Sequence, residues 1–238
     1  MTPQSRMVGH PAGPSRASRL RGVQLTHLGH ACLLVEAAGA RILVDPGSLT
    51  PGFETVTGLD AVIVTHQHVD HVDSERLPAV MAANGTAALL AEPSTVELLA
   101  AAGVSAQPVR PGDERRFGGL SVRAVGGVHA KLFEEDPVVG NVGLLFAADG
   151  EPTLFHPGDS YDLAPSGVDV LALPLAAPWT SGRGTIEFLR AAAPPVAVPI
   201  HDGLLVPLAR QVYVGLVQSR GPERTRVLDL AGVGPTEM

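Results

Sequence analysis

Residues 61–73, AVIVTHQHVDHVD, place three histidines and an aspartate within six positions, directly behind an apolar run. Imidazole nitrogen and carboxylate oxygen are ligands for borderline divalent cations such as Zn²⁺, at roughly 2.0–2.2 Å. His66 and His68, at i and i+2, face the same way only in extended backbone, whereas paired ligands on a helix would stand at i and i+4. Asp70 and His71 are adjacent, diverge, and imply a second ion. Each ion needs more ligands than this loop supplies. Three further candidates follow runs of small or apolar residues: His129 in VGGVHAK, Asp159 in FHPGDSYD and His201 in VPIHDG. Singly, each would read as a capping or surface group. In this order, together with the cluster, they point to a metal site.

The elements that must position these side chains can be read from periodicity and turn residues. VQLTHLG (23–29), ACLLVEA (31–37) and ARILVDPG (40–47) read as consecutive antiparallel strands, turning at Gly29-His30 and Ala38-Gly39. AVIVT (61–65) is continuously apolar, as expected of a strand buried on both faces, and a helix is expected over about 74–83, ended by Asn84-Gly85. TAALLAE (86–92) reads as a strand, and Ser94-Thr95-Val96-Glu97 as a capping box opening a helix that Gly103 ends. Further strands are expected at 120–126, 141–148, 152–158, 168–175 and 195–201, with helices over about 185–193 and 206–219. Grouped antiparallel strands mixed with strand-to-helix units predict an α/β fold of four layers, two packed sheets with helices outside each. Residues 1–20, rich in Pro, Gly, Ser and Arg, read as a flexible N-terminal tail, and 21–238 as a single domain.

The ordered set His66, His68, Asp70 and His71 (HxHxDH), His129, Asp159 and His201, with ILVDPG around Asp45, resembles the metallo-β-lactamase fold superfamily over about residues 22–210. LGHACLLVE and FHPGDSYD look most like its cytosolic, single-domain branch of metal-dependent hydrolases, which includes sugar-phosphate lactonases. The resemblance implies the αββα sandwich of that superfamily. It also implies His66, His68 and His129 on one ion, Asp70, His71 and His201 on the other, and Asp159 bridging both. Zn²⁺ is the default metal, and Mn²⁺ or Fe²⁺ also suit the donor set.

Two such ions lower the pKa of a shared water from 15.7 towards 7, giving a bridging hydroxide and no need of a Ser or Cys nucleophile. Asp70 and Asp159 are the candidate catalytic carboxylates, Asp70 as the group that orients the hydroxide and passes on its proton. Asp45 is expected to accept a hydrogen bond from a ligand histidine and fix its tautomer, and His30 to stand behind the ligands or face the substrate. His27, His156 and His10 read as structural or surface groups. In PLAAPWTSGRGT (174–185), Trp179, Thr180 and Arg183 are expected to line a substrate pocket, with Arg183 beside a helix N-terminus as a holder of phosphate or carboxylate.

The formal net charge of −7 excludes a general electrostatic hold on nucleic acid or anionic membrane. The one cysteine, Cys32, rules out an intrachain disulfide and suits a reducing compartment. The N-terminal stretch lacks the apolar segment of a signal peptide, so a soluble cytoplasmic protein is expected. The 37 residues after His201 have no room for the helical substrate domain of glyoxalase II relatives. The sequence therefore predicts a dinuclear metal-dependent hydrolase of a small ester, lactone or phosphoester, anionic or neutral, with a lactonase-like reaction favoured. The alternatives are a phosphodiesterase of phospholipase D type and a metal-binding or sensor protein without turnover. Assembly into a homo-oligomer stays open.

Overall fold

The structure, a computed structural model, describes residues 22–238; the expected tail and His10 lie outside the described residues. β1 (Gln24–Gly29), β2 (Cys32–Ala37) and β3 (Ala40–Val44) form the antiparallel meander that the turn residues predict. From β3 onward the pairing becomes parallel, through β4 (Ala61–Val64), β5 (Ala88–Ala91) and β6 (Gln107–Pro108). Crossovers between parallel strands carry α1 (Leu77–Ala83) and α2 (Pro93–Ala101). The second half repeats this plan. β7 (Glu114–Phe117), β8 (Leu120–Val125), β9 (Gly143–Ala147) and β10 (Leu154–His156) pair antiparallel in turn. β11 (Val170–Pro174), β12 (Val196–Ile200) and β13 (Arg226–Val227) then continue parallel, with α3 (Gly182–Ala192) and α4 (Pro207–Arg220) on the crossovers. β14 (Thr236–Glu237) returns to pair with β1, so each sheet has seven strands.

Three buried clusters define the layers. The first joins inward residues of both sheets, among them Leu25, Leu33, Ile42, Ile63, Val122, Leu144 and Val198. The second sets Leu43, Val62 and Val64 against Leu77, Val80 and Leu99 of α1 and α2. The third sets Leu171, Leu173 and Ala197 against Phe188, Leu189 and Val217 of α3 and α4. The order is helices, sheet, sheet, helices, the four-layer αββα sandwich. β4 and β11 are buried at every position because a strand covered by a helix on one face and the other sheet on the other has no solvent side.

The differences from the sequence reading have local causes. β6, β7, β13 and β14 escape it: three are two-residue pairings, and β7 is the charged edge ERRF, whose Arg and Glu side chains discourage a further strand. The expected Ser94–Glu97 capping box is corrected. Pro93 occupies the first helical position, where no N–H is needed, so the cap falls on Glu92, whose carboxylate accepts from Ser94 N at 2.9 Å and Thr95 N at 3.2 Å. α1 begins at Leu77, three residues later than expected, because Asp73 Oδ1 accepts from Glu75 N and Arg76 N and holds 73–76 as a turn. α3 begins three residues earlier, where the Ser181 hydroxyl caps Gly184 N, which puts Arg183 inside the first turn.

Two positions brace the loops that carry the site. A side chain on Gly47 would overlap the backbone of Asp70 and His71. Asn84, buried at the end of α1, accepts from Leu59 N and donates to the carbonyls of Val56 and Val80, all at 2.8–2.9 Å. Asn84→Ala leaves Leu59 N and the Val56 carbonyl without these partners, while Val80 O keeps the backbone N–H of residue 84, and a loss of roughly 2–4 kcal/mol is expected in urea unfolding. Gly47→Ala is expected to be folded at lower melting temperature and to have lost metal affinity at least tenfold, both measurable on the purified variant.

Candidate metal centre

The expected ligands gather at the carboxyl ends of the parallel strands, where crossover folds open their crevices. β3 delivers Asp45, β4 delivers His66, β10 delivers Asp159 and β12 delivers His201. His68, Asp70 and His71 follow on the turn after β4, and His129 comes from the loop after β8. The donor atoms of His66, His68 and His129 lie within 4.8 Å of one another, as do those of Asp70, His71 and His201 with His30, and those of His66, His71 and Asp159. Asp159 sits between the groups: its Oδ1 is 3.1 Å from His71 Nε2, and its Oδ2 is 3.1 Å from His201 Nε2 and 3.6 Å from His129 Nε2.

Hydrogen bonds behind the rings decide which nitrogen faces inward. Asp45 is fully buried and only accepts: Oδ1 takes Thr65 N at 2.7 Å, and Oδ2 takes the Thr65 hydroxyl at 2.7 Å and His71 Nδ1 at 2.8 Å. The Thr65 hydroxyl proton being spent on Asp45, its oxygen accepts from His66 Nδ1 at 3.1 Å. His129 Nδ1 donates to the Ala130 carbonyl, and His201 Nδ1 to that of Ala176 at 2.7 Å. Each of these four rings thereby keeps a proton on Nδ1 and turns Nε2 inward, the atom that metal ligation would use. His68 turns the other way, its Nδ1 only 3.1 Å from His66 Nε2.

Among the described residues, His71 Nε2, His129 Nε2, His201 Nε2 and Asp159 Oδ1 are buried without a hydrogen bond. Burying one such group unpaired costs about 1–3 kcal/mol. Four converging within a few ångströms fit a cation-binding donor set of nitrogen and carboxylate oxygen. Protonation states agree. Burial pushes His66 well below the ordinary histidine range and His68 down as well, so both rings are neutral at pH 7, as candidate ligands must be. Burial opposes ionisation of Asp159, yet the charge of His71 and the contacts of His129 and His201 hold it well below the usual carboxylate range. Burial likewise opposes a charged His71, but Asp159 and Asp45 raise it well above the ordinary value in the absence of a cation.

His30 lies within reach of the second group without being free to ligate. It stands at positive φ in the β1–β2 turn, and its Nδ1 accepts from Gly203 N at 3.0 Å. The proton is therefore on Nε2, which donates to Asp70 Oδ2 at 3.0 Å. Burial raises Asp70, but the His30 bond and the neighbouring His71 and His201 bring it down to about 2. His27 and His156 bond the backbone carbonyls of His30 and Ala31, as structural groups do.

Over the centre lies a cavity of about 380 Å³ whose floor includes His68, Asp70, His129, Asp159 and His201. Trp179 stands on its wall and donates its indole N–H to Asp159 Oδ2 at 2.8 Å, a bond the sequence did not foretell. Thr180 and Arg183 are not on that wall. Arg183 falls on the helical face shared with Ile186, Glu187 and Arg190, and opens onto a separate groove beside Leu216 and Arg220. The early start of α3 is the cause, since it turns Arg183 outward. Sequence reading also passed over Asn141, whose Oδ1 accepts from Asp159 N at 3.0 Å while its amide donates to Pro157 O. Gly158, at φ 61°, leaves the space that the Asn141 side chain fills. No spacing signal marks such a residue, because it acts across 18 positions.

Strand-end histidines and carboxylates in an αββα sandwich define a metallo-hydrolase-like fold and centre. A family model described as "Beta-lactamase superfamily domain" matches residues 24–201, and the chain belongs to that family. It is 45% identical over 194 residues to protein Rv0786c of Mycobacterium tuberculosis, covering 81% of this chain and 90% of that one. It is 28% identical to a UPF0173 metal-dependent hydrolase of Carboxydothermus hydrogenoformans, covering 84% and 92%. Among solved structures it resembles the metallo-β-lactamase fold protein YhfI of Bacillus subtilis, with TM-score 0.68 and 15% identity, covering 87% and 95%.

Asp45→Asn puts an amide N–H against donors that now have an acceptor. Metal affinity is expected to fall 10- to 100-fold, read by competition with a chromogenic chelator, with the fold retained by circular dichroism.

Proposed function

We propose that this protein is a hydrolase working with two divalent cations, Zn²⁺ by default, on a small ester or lactone. One observation carries the reading: the unpartnered Nε2 atoms of His129 and His201 and Asp159 Oδ1 belong to residues lining an open cavity, and the unpartnered Nε2 of His71 stands 3.1 Å from Asp159 Oδ1. The grouping of donor atoms supports His66, His68 and His129 on one ion, and Asp70, His71 and His201 on the other, with Asp159 shared. Bound there, the cations supply a nucleophilic water at neutral pH and a Lewis acid for the attacked oxygen.

The chain's own residues do the rest. Asp70 lines the cavity, is ionised down to about pH 2, and so accepts a hydrogen bond from water across the physiological range. His30 holds that carboxylate in one rotamer, so the water's lone pair points to where the substrate carbonyl must lie. Trp179 restrains Asp159 and excludes water from one side. Tyr161 backs the indole edge-on, with ring centroids 4.8 Å apart, and itself stacks on Phe188. The cavity above the cluster favours turnover over a metal-binding role without chemistry. The cytoplasmic setting read from the sequence is kept as part of the proposal.

Metal content by plasma mass spectrometry is expected to give about two ions per chain for protein purified without chelator, and to fall in Asp159→Ala. Hydrolysis of p-nitrophenyl esters is expected to vanish with chelator, return with Zn²⁺ or Mn²⁺, and drop roughly 10²–10³-fold in kcat for Asp70→Asn with metal retained. Full loading with no turnover of any ester or phosphodiester would defeat the hydrolytic reading.

A further inference from the structure

The cavity has a polar floor and apolar walls. Leu132, Pro137, Val139, Pro178, Trp179 and Leu204 surround the donor cluster. Leu132 and Leu204, with Phe133 and Val138 of the same loop as Leu132, are between 52% and 69% exposed, so apolar surface continues outward from the mouth. Large apolar side chains left in water beside a cavity mark a place where apolar ligand surface is received.

The charges on the walls point the same way. Above the donor cluster, the charged side chains among the lining residues are Lys131 and Asp136. The Lys131 ammonium donates to the Glu134 carbonyl at 2.8 Å. Segment 131–136, KLFEED, sets Glu134, Glu135 and Asp136 against that single amine, so the loop at the mouth is net acidic. Arginine forks and clustered backbone N–H groups are how proteins hold phosphate. Arg183, the sequence's candidate for that task, faces a different groove. A phosphate carried away from the reacting bond would find one cationic side chain among the lining residues, Lys131, and no arginine.

We infer, resting on the hydrolytic reading, that the substrate is an uncharged carboxylic ester or lactone whose body beyond the reacting carbonyl is apolar. Water adds to the carbonyl carbon, and the acyl C–O bond breaks with its electron pair going to the leaving oxygen, which takes a proton. The products are a carboxylic acid, which ionises, and an alcohol; a lactone gives both in one hydroxy acid. The acidic loop repels the carboxylate and favours its departure.

A matched series on the Zn²⁺-loaded protein tests this. From p-nitrophenyl acetate to butyrate to hexanoate, kcat/KM is expected to rise roughly two- to fourfold per methylene. Mono-p-nitrophenyl adipate, the same length with a terminal carboxylate, is expected to be at least tenfold poorer than the hexanoate, and Glu134→Gln with Glu135→Gln to narrow that gap. A flat or falling series, an adipate ester equal to the hexanoate, or faster cleavage of bis-p-nitrophenyl phosphate overturns the inference and leaves the hydrolytic reading standing. Trp179, the sole tryptophan, gives a readout free of turnover. Hexanamide and octanamide are expected to change its fluorescence saturably, with the longer amide binding tighter. No saturable change overturns the apolar-body inference. Amide binding without hydrolysis of any ester overturns the hydrolytic reading instead.

Discussion

The buried carboxylate of Asp45 is the constraint on which the rest of the centre depends. It has no solvent, stands at positive φ at the end of β3, and accepts hydrogen bonds from the Thr65 backbone, the Thr65 hydroxyl and the His71 ring. A polar side chain at such depth is tolerable only when fully paired. Meeting that demand fixes the tautomers of His71 directly and of His66 through the Thr65 hydroxyl. Two rings on two sides of one turn are thereby aimed inward before any cation arrives.

The fold supplies what Asp45 cannot. β4, β10 and β12 each lead into a candidate ligand because parallel strands, covered on both faces, release their chains at one edge of the sandwich. The two sheets meet along a continuous apolar interface, so strand ends from the first half of the chain face strand ends from the second. The β1–β2 turn then locks the halves together: His30 O accepts from His201 N at 2.7 Å, and His30 Nδ1 from Gly203 N. That turn also holds Asp70, so one histidine couples the His201 loop to the Asp70 carboxylate.

Above the cluster, Trp179 links chemistry to selectivity. Its N–H restrains Asp159 while its rings form cavity wall, and Tyr161, in the loop after β10 and stacked on Phe188 of α3, backs it edge-on. On the hydrolytic reading proposed above, apolar walls over a polar floor would let substrate binding come from desolvation while the charged groups act on the reacting bond. A shared scaffold does not set the substrate; the loops at the strand ends do.

The sequence by itself determined the layer plan and named the candidate ligands that the fold gathers at one edge. HxHxDH behind an apolar strand, with His129, Asp159 and His201 each after a later strand, is local information, and so are the continuous apolar runs of buried parallel strands. The helix starts depended on single residues whose effects are also local, Pro93 and Asp73, and were displaced by competing caps. What only the tertiary structure decided lies across the chain. It includes Asn141 behind Asp159, the Trp179 bond to the same carboxylate, the His30 clamp on Asp70, and the outward turn of Arg183. Those contacts join residues 18 to 173 positions apart, where no periodicity records them. Spacing reports which face of one element a side chain takes, and only packing reports what stands opposite that face.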